Sequence, residues 1–139
     1  MMINEYIYHK KLWKYKYIGV INNLWNKKIS VPPLLDVDHR YKLPQEIKCG
    51  STLILPINYS GIPRPKTTWY RQGVPLSLRP GHVHIDSGDN YSTLTILGIE
   101  SDEGGKYEAA VDNIAGSARY GFDVVVKCKR RQLTYLRNF

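Results

Sequence analysis

Side chains able to do chemistry are few in this chain, and their spacing assembles no reaction centre. His82 and His84 stand two apart in an alternating run, so on a strand both imidazoles share one face. Two imidazoles are half of a metal site, but no third ligand follows at a matching spacing. The pair therefore reads as a solvated strand face. Asp86-Ser87-Gly88-Asp89-Asn90 is acidic and dense in turn formers. It lacks the terminal bidentate Glu and the ligand spacing of a helix-loop-helix calcium site, and reads as a turn. Asn58-Tyr59-Ser60 and Asn90-Tyr91-Ser92 both fit the acceptor pattern for N-linked sugars. No Gly-Xaa-Ser-Xaa-Gly elbow, phosphate-cradling glycine loop or zinc-ligand spacing occurs. The expectation is a non-enzymatic chain with no catalytic residue, no metal site and no cofactor.

The elements around these residues are easier to read. Glu103-Gly104-Gly105-Lys106-Tyr107-Glu108-Ala109 is a turn feeding an alternating strand. Along it Tyr107, Ala109 and Val111 point one way, and Lys106, Glu108, Ala110 and Asp112 the other. Asn113 and Gly116 bracket a hairpin, and Ser117 to Lys127 returns as the next strand. Upstream, Leu53, Leu55, Ile57 and Tyr59 alternate inward against Thr52, Ile54, Pro56 and Asn58. A lone Trp69 lies inward between Thr68 and Tyr70, and Leu94, Ile96 and Ile99 extend the apolar set. The predicted core is thus Leu53, Leu55, Ile57, Trp69, Leu94, Ile96, Tyr107, Ala109 and Val111. On the last strand Val124 pairs in phase with Val126, and Val125 with Lys127; the pattern leaves both phases open.

Several short pieces, in this order and spacing, carry a resemblance. They are Pro32-Pro33, Gly50-Ser51-Thr52-Leu53-Ile54-Leu55, Gly61-Ile62-Pro63-Arg64-Pro65 and Trp69-Tyr70. Gly73-Val74-Pro75-Leu76, Ser92-Thr93-Leu94-Thr95-Ile96, Gly105-Lys106-Tyr107 and Asn113-Ile114-Ala115-Gly116 follow. Residues 31–127 resemble an intermediate-set (I-set) immunoglobulin domain, in particular those of giant muscle proteins of the titin and twitchin kind. The resemblance implies an all-β sandwich of two antiparallel sheets, A/B/E/D and A′/G/F/C/C′. It places strand A at Leu34 to Val37 and A′ at Leu43 to Lys48, with a kink between them. Pro56 removes a ladder donor, so it belongs beside that kink, where strand B loses its neighbour. Tyr107 should bond backbone a few residues upstream, as the tyrosine corner of this fold does.

In secreted relatives a disulfide joins the two sheets; the matching positions here are Ile57 and Ala109. That missing link argues for a reducing compartment. Cys49 and Cys128 fall at the ends of strands A′ and G, which lie side by side in this family, so a bridge there is geometrically conceivable. Both flank the domain's margins, and the expectation is no disulfide and two free thiols.

Charge divides the chain in three. Residues 1–30 and 127–139 each carry +5, while residues 31–126 carry −2, within a chain total of +8. The basic character therefore belongs to the tails, and a nucleic-acid partner, which needs a basic folded face, is not expected. Residues 1–30 form a basic aromatic extension that reads as a surface-binding arm, as an extension without a core, or as translated non-coding sequence. Residues 128–139, with Lys129-Arg130-Arg131, read as a basic tail. No secretory leader and no membrane span is expected, because lysines interrupt every apolar run. The implied function is a structural module of an intracellular, cytoplasmic sarcomere protein. Its expected partners are neighbouring immunoglobulin or fibronectin type III modules and thick-filament proteins. The alternative is a cell-surface adhesion or receptor domain without the inter-sheet disulfide.

Overall fold

The computed structural model describes residues 29–129; the basic extension up to residue 28 and the tail from residue 130 lie outside them. Nine strands run β1 Val31–Asp36, β2 Gln45–Lys48, β3 Leu53–Ile62, β4 Lys66–Arg71, β5 Val74–Pro75, β6 Val83–Ser87, β7 Tyr91–Ile96, β8 Gly105–Asn113 and β9 Gly116–Lys127. They form two sheets, β1-β3-β7-β6 and β2-β9-β8-β4-β5, which is the immunoglobulin-type order read from the sequence. All pairings are antiparallel except one: β2 lies parallel to β9, from Gln45 against Val124 to Lys48 against Lys127.

Alternation decides what each strand buries. Leu53, Leu55, Ile57 and Tyr59 enter from β3, Ser92, Leu94 and Ile96 from β7, and Tyr107, Ala109 and Val111 from β8. Ile57 and Ala109 are both within the core, an aliphatic and a methyl where a secreted relative would carry sulfur. Trp69 on β4 is buried, and its indole N–H donates to Ser92 Oγ at 2.9 Å. Phe122 on β9 stacks on that indole with ring centroids 5.8 Å apart, and Tyr41 meets Phe122 edge-on at 5.7 Å. Phe122 and Val124 face in and Val126 is half-buried, so the phase left open on the last strand is the one with Val124 and Val126 inward.

The edges follow from local chemistry. β1 leaves β3 at the Asp36–Asn58 pair, so Pro56 stands where β3 has lost that neighbour and a missing N–H costs nothing. Between β1 and β2 a short 3₁₀ turn, His39–Lys42, is capped by Asp38, whose carboxylate accepts the Arg40 N–H at 3.0 Å. Gln72 and Gly73 take φ of +49° and +79°, the mirror-image turn that suits a two-residue hairpin between β4 and β5. Near the end of β3 a Cβ on Gly61 would lie 2.8 Å from Pro65 Cγ, so glycine there permits the loop to β4 to fold back closely.

Three expectations need correction. Strand A starts earlier than read, at Val31, because Pro32 and Pro33 are accommodated in a bulge between the Val31 and Leu34 pairings. His82 and His84 do not share a face. His82 precedes β6 and turns inward, while His84 is exposed on the strand. The expected pair of free thiols is overturned as well: Cys49 and Cys128 are joined as a disulfide, with Cα atoms 4.7 Å apart. They occupy the next register step after Lys48 against Lys127, and parallel register brings both chains out side by side.

Candidate functional site

One end of the molecule is built where β2 and β9 finish together. The Cys49 N–H donates to the Lys127 carbonyl at 2.9 Å, continuing the parallel ladder one step past Lys48. Gly50, at φ +83°, then turns the chain away, and its N–H donates to the Ile99 carbonyl at 2.7 Å. The Cys49–Cys128 bridge closes this end and lines an open cleft of about 530 Å³ with Lys48, Lys127 and Lys129. Lys127 pairs with Glu46 at 3.0 Å, both well exposed, a contact of the kind worth little in water. Both cysteines are exposed, so the sulfurs sit in a cationic, solvent-reached setting.

The opposite end carries the chain's entry. The Asn113 amide donates to the carbonyls of Val31 at 2.7 Å and Pro63 at 3.1 Å, tying the first strand to the β3–β4 loop and the β8–β9 hairpin. Its Oδ1 accepts the N–H groups of Ala115 and Gly116, which sets the two-residue turn. Ile62 and Ile114 stand exposed here beside Val31. Entry and exit are therefore at opposite poles, and β2 paired to β9 lies between them.

A polar cluster supports the β7–β8 connection. Glu103 is nearly buried; its Oε1 accepts from Arg79 at 3.0 Å and from His82 Nε2, and its Oε2 accepts the Glu100 N–H at 2.9 Å. The Tyr107 hydroxyl donates to the Glu103 carbonyl, the tyrosine corner expected from the sequence. Burial pushes the Glu103 carboxyl up, but the His82 and Glu100 hydrogen bonds and the Arg79 charge outweigh it and hold it below its ordinary 4.5. Burial also pushes the Tyr107 phenol above its ordinary 10.0, with Arg71 opposing.

The signs of the two shifts differ, and so do the pH windows. A depressed carboxyl contributes stability that is present above about pH 4.5 and lost as pH falls through its folded value. A raised phenol contributes stability that is complete below about pH 10 and lost as pH rises further. Denaturant midpoints measured from pH 3 to 11 should trace a plateau that falls at both ends. Glu103→Gln should cost about 1–3 kcal/mol at neutral pH and flatten the acid limb alone. An unchanged acid limb in that variant would show that Glu103 does not contribute to it.

The other chemistry-bearing residues are dispersed. Asp89 of the acidic turn meets Arg64 at 2.9 Å across the pole. Asn58 and Asn90 are both exposed and line one small cleft with Leu34 and Asp36 on the four-stranded sheet. Among the described residues no group of three metal-ligating side chains comes together, and no helix is long and apolar enough to cross a membrane. Ser92, Phe122 and the Glu103 contacts lie beyond the core and site expected from the sequence. Ser92 shared its face with Leu94 and Ile96, and Asp123 with Lys127 marked the outer face of β9, so two of these were signalled by period alone.

A sandwich with this strand order, a buried tryptophan and a tyrosine corner defines the immunoglobulin class. Residues 39–126 match the model of the immunoglobulin I-set domain, and the chain belongs to that family. Titin of Drosophila melanogaster is 29% identical over 90 residues, which span 65% of this chain and a share of titin that rounds to 0%. A vascular endothelial growth factor receptor kdr-like protein of Danio rerio is 32% identical over 101 residues, 68% of this chain and 8% of that one. Among solved structures, the titin M3 domain is 29% identical with a TM-score of 0.61, covering 70% of this chain and 98% of that one. The chain thus spans less than a tenth of either curated relative.

Proposed function

We propose that the chain supplies a non-catalytic structural module of a titin- or twitchin-like giant muscle protein, acting in the cytoplasm of the sarcomere. There it links neighbouring immunoglobulin or fibronectin type III modules in series and docks on thick-filament proteins; nucleic acid is not among its partners. The observation that carries this reading is the parallel β2–β9 ladder placed between poles at which the chain enters and leaves. With the Cys49–Cys128 bridge open, tension applied through the ends draws β2 and β9 past each other, so the ladder bonds are loaded together in shear rather than broken one at a time. Exposed Ile62 and Ile114 at the entry pole offer an apolar contact to a preceding module. The residues proposed for the core role are those predicted from the sequence, and the domain is proposed to span residues 31–127.

The test is to pull the full chain through its ends with the disulfide reduced, so that the ladder bears the load. Glu46→Pro and Ile47→Pro each remove one N–H, and in a parallel pair one of two successive residues donates to the partner. At least one of them should lower the unfolding force clearly below the parent's. Equal forces in all three would show that the ladder carries no load.

The Cys49–Cys128 bridge favours a second reading, a domain of a cell-surface or extracellular protein, since disulfides persist in oxidising compartments. The kdr-like receptor similarity and the two exposed acceptor asparagines support it. The native protein separates the two: sugar on Asn58 or Asn90 supports the extracellular reading, and bare asparagines with two free thiols support the sarcomeric one.

A further inference from the structure

We infer that the Cys49–Cys128 bridge is a thiol-exchange site for a small anionic thiol, and that its state sets how much of the domain lies in the path of tension. The inference rests on the series-module reading only for its setting; the covalent connectivity stands without it. Cysteines 49 and 128 are 79 residues apart, and every strand from β3 to β9 lies between them. With the bridge closed, tension entering through β1 and β2 reaches Cys49, crosses the two sulfurs and leaves from Cys128. β2 is already extended and cannot slide along β9 while its end is tied, so the ladder and the seven strands behind it carry nothing. With the bridge open, the same tension falls on the ladder, and rupture frees the whole enclosed segment.

The site's surroundings suit exchange. Both cysteines are exposed at the end of a sheet, unlike a disulfide packed between two sheets. Lys48, Lys127 and Lys129 line the cleft beside the sulfurs. Their charge draws an anionic thiol inward and stabilises the thiolate that leaves. In the first step a thiolate attacks one cysteine sulfur: a new S–S bond forms, the Cys49–Cys128 bond breaks, and the other cysteine departs as a thiolate. A second thiolate attacks the outer sulfur of the mixed disulfide, releasing a symmetric small disulfide and the second cysteine thiolate. Two thiols are oxidised and one protein disulfide is reduced, with protons exchanged with water.

The test pulls the oxidised full chain through its two ends and then adds reduced glutathione. Before addition, residues between 49 and 128 should contribute no lengthening. Afterwards, an added step of about 250–280 Å should appear, which is the extended length of the 79 released residues. The double variant Cys49→Ser with Cys128→Ser should show that step with or without thiol; should it fold poorly, reduction of the parent gives the same readout. The step present before any thiol is added would overturn the inference. A reduced chain that gives the full step at negligible force would uphold the site while removing the load-bearing reading. At matched thiolate concentration and low salt, glutathione should open the bridge about tenfold faster than cationic cysteamine. That preference should vanish at about 1 M salt and shrink in Lys48→Gln with Lys129→Gln. Equal rates for the two thiols at low salt would overturn the anionic specificity.

Discussion

Trp69→Ala should remove about 3–5 kcal/mol of folding free energy, enough to leave much of the domain unfolded near 37 °C. Among the described residues the indole is the largest fully buried side chain, and truncation strands two partners at once. Phe122 loses the ring it stacks on at 5.8 Å, which opens a cavity that neighbouring strands cannot close without breaking their ladders. Ser92, fully buried, loses the donor held at 2.9 Å and keeps only the Ser87 hydroxyl at 2.8 Å. Trp69→Phe separates these contributions: most of the volume stays and the hydrogen bond goes, at about 1–2 kcal/mol. Urea unfolding followed by circular dichroism reads both. For a domain of this size the alanine variant should melt about 15–30 °C below the parent. A drop of under 5 °C would place the indole outside the centre of the core.

What the sequence pattern could resolve depended on whether one face of a strand was polar. Along β3, Asn58 and Ser60 on the outer face stand against Leu53, Leu55, Ile57 and Tyr59, and the inward set is plain despite the exposed Ile54. On β9 three consecutive valines blur the alternation, and the phase follows only from Asp123 and Lys127 on the outer side. The inward place of Phe122, which completes the aromatic stack, therefore rests on those two charged residues alone. His82 was beyond local reasoning, because its direction is set by Glu103, 21 residues away in sequence. Glu103, four residues before the corner Tyr107, reaches the Glu100 N–H, Arg79 and His82, and so ties the loop together.

The disulfide shows a different boundary of sequence reading. The sequence sets Cys49 and Cys128 at the ends of neighbouring strands, while the absent link between Ile57 and Ala109 points to a reducing compartment and so to free thiols. Register is the stronger constraint, since two residues one step beyond a parallel pair have Cα atoms within bridging range wherever the protein resides. The energetic consequence is large. Closing a loop of 79 residues removes denatured-state entropy equivalent to about 4–4.5 kcal/mol at 25 °C. Cys49→Ser with Cys128→Ser, changed together so that no lone exposed thiol can pair between molecules, should therefore melt about 15–30 °C lower than the oxidised parent. The reduced parent should match the double variant. Because the bridge acts on the unfolded chain, the oxidised protein should also show a smaller dependence of stability on denaturant, its unfolded state being the more compact. A difference under about 1 kcal/mol, with equal slopes, would mean that the two sulfurs are not joined in the folded protein. A large difference carried by an altered slope would place the effect in the unfolded chain, where the length of the closed loop says it belongs.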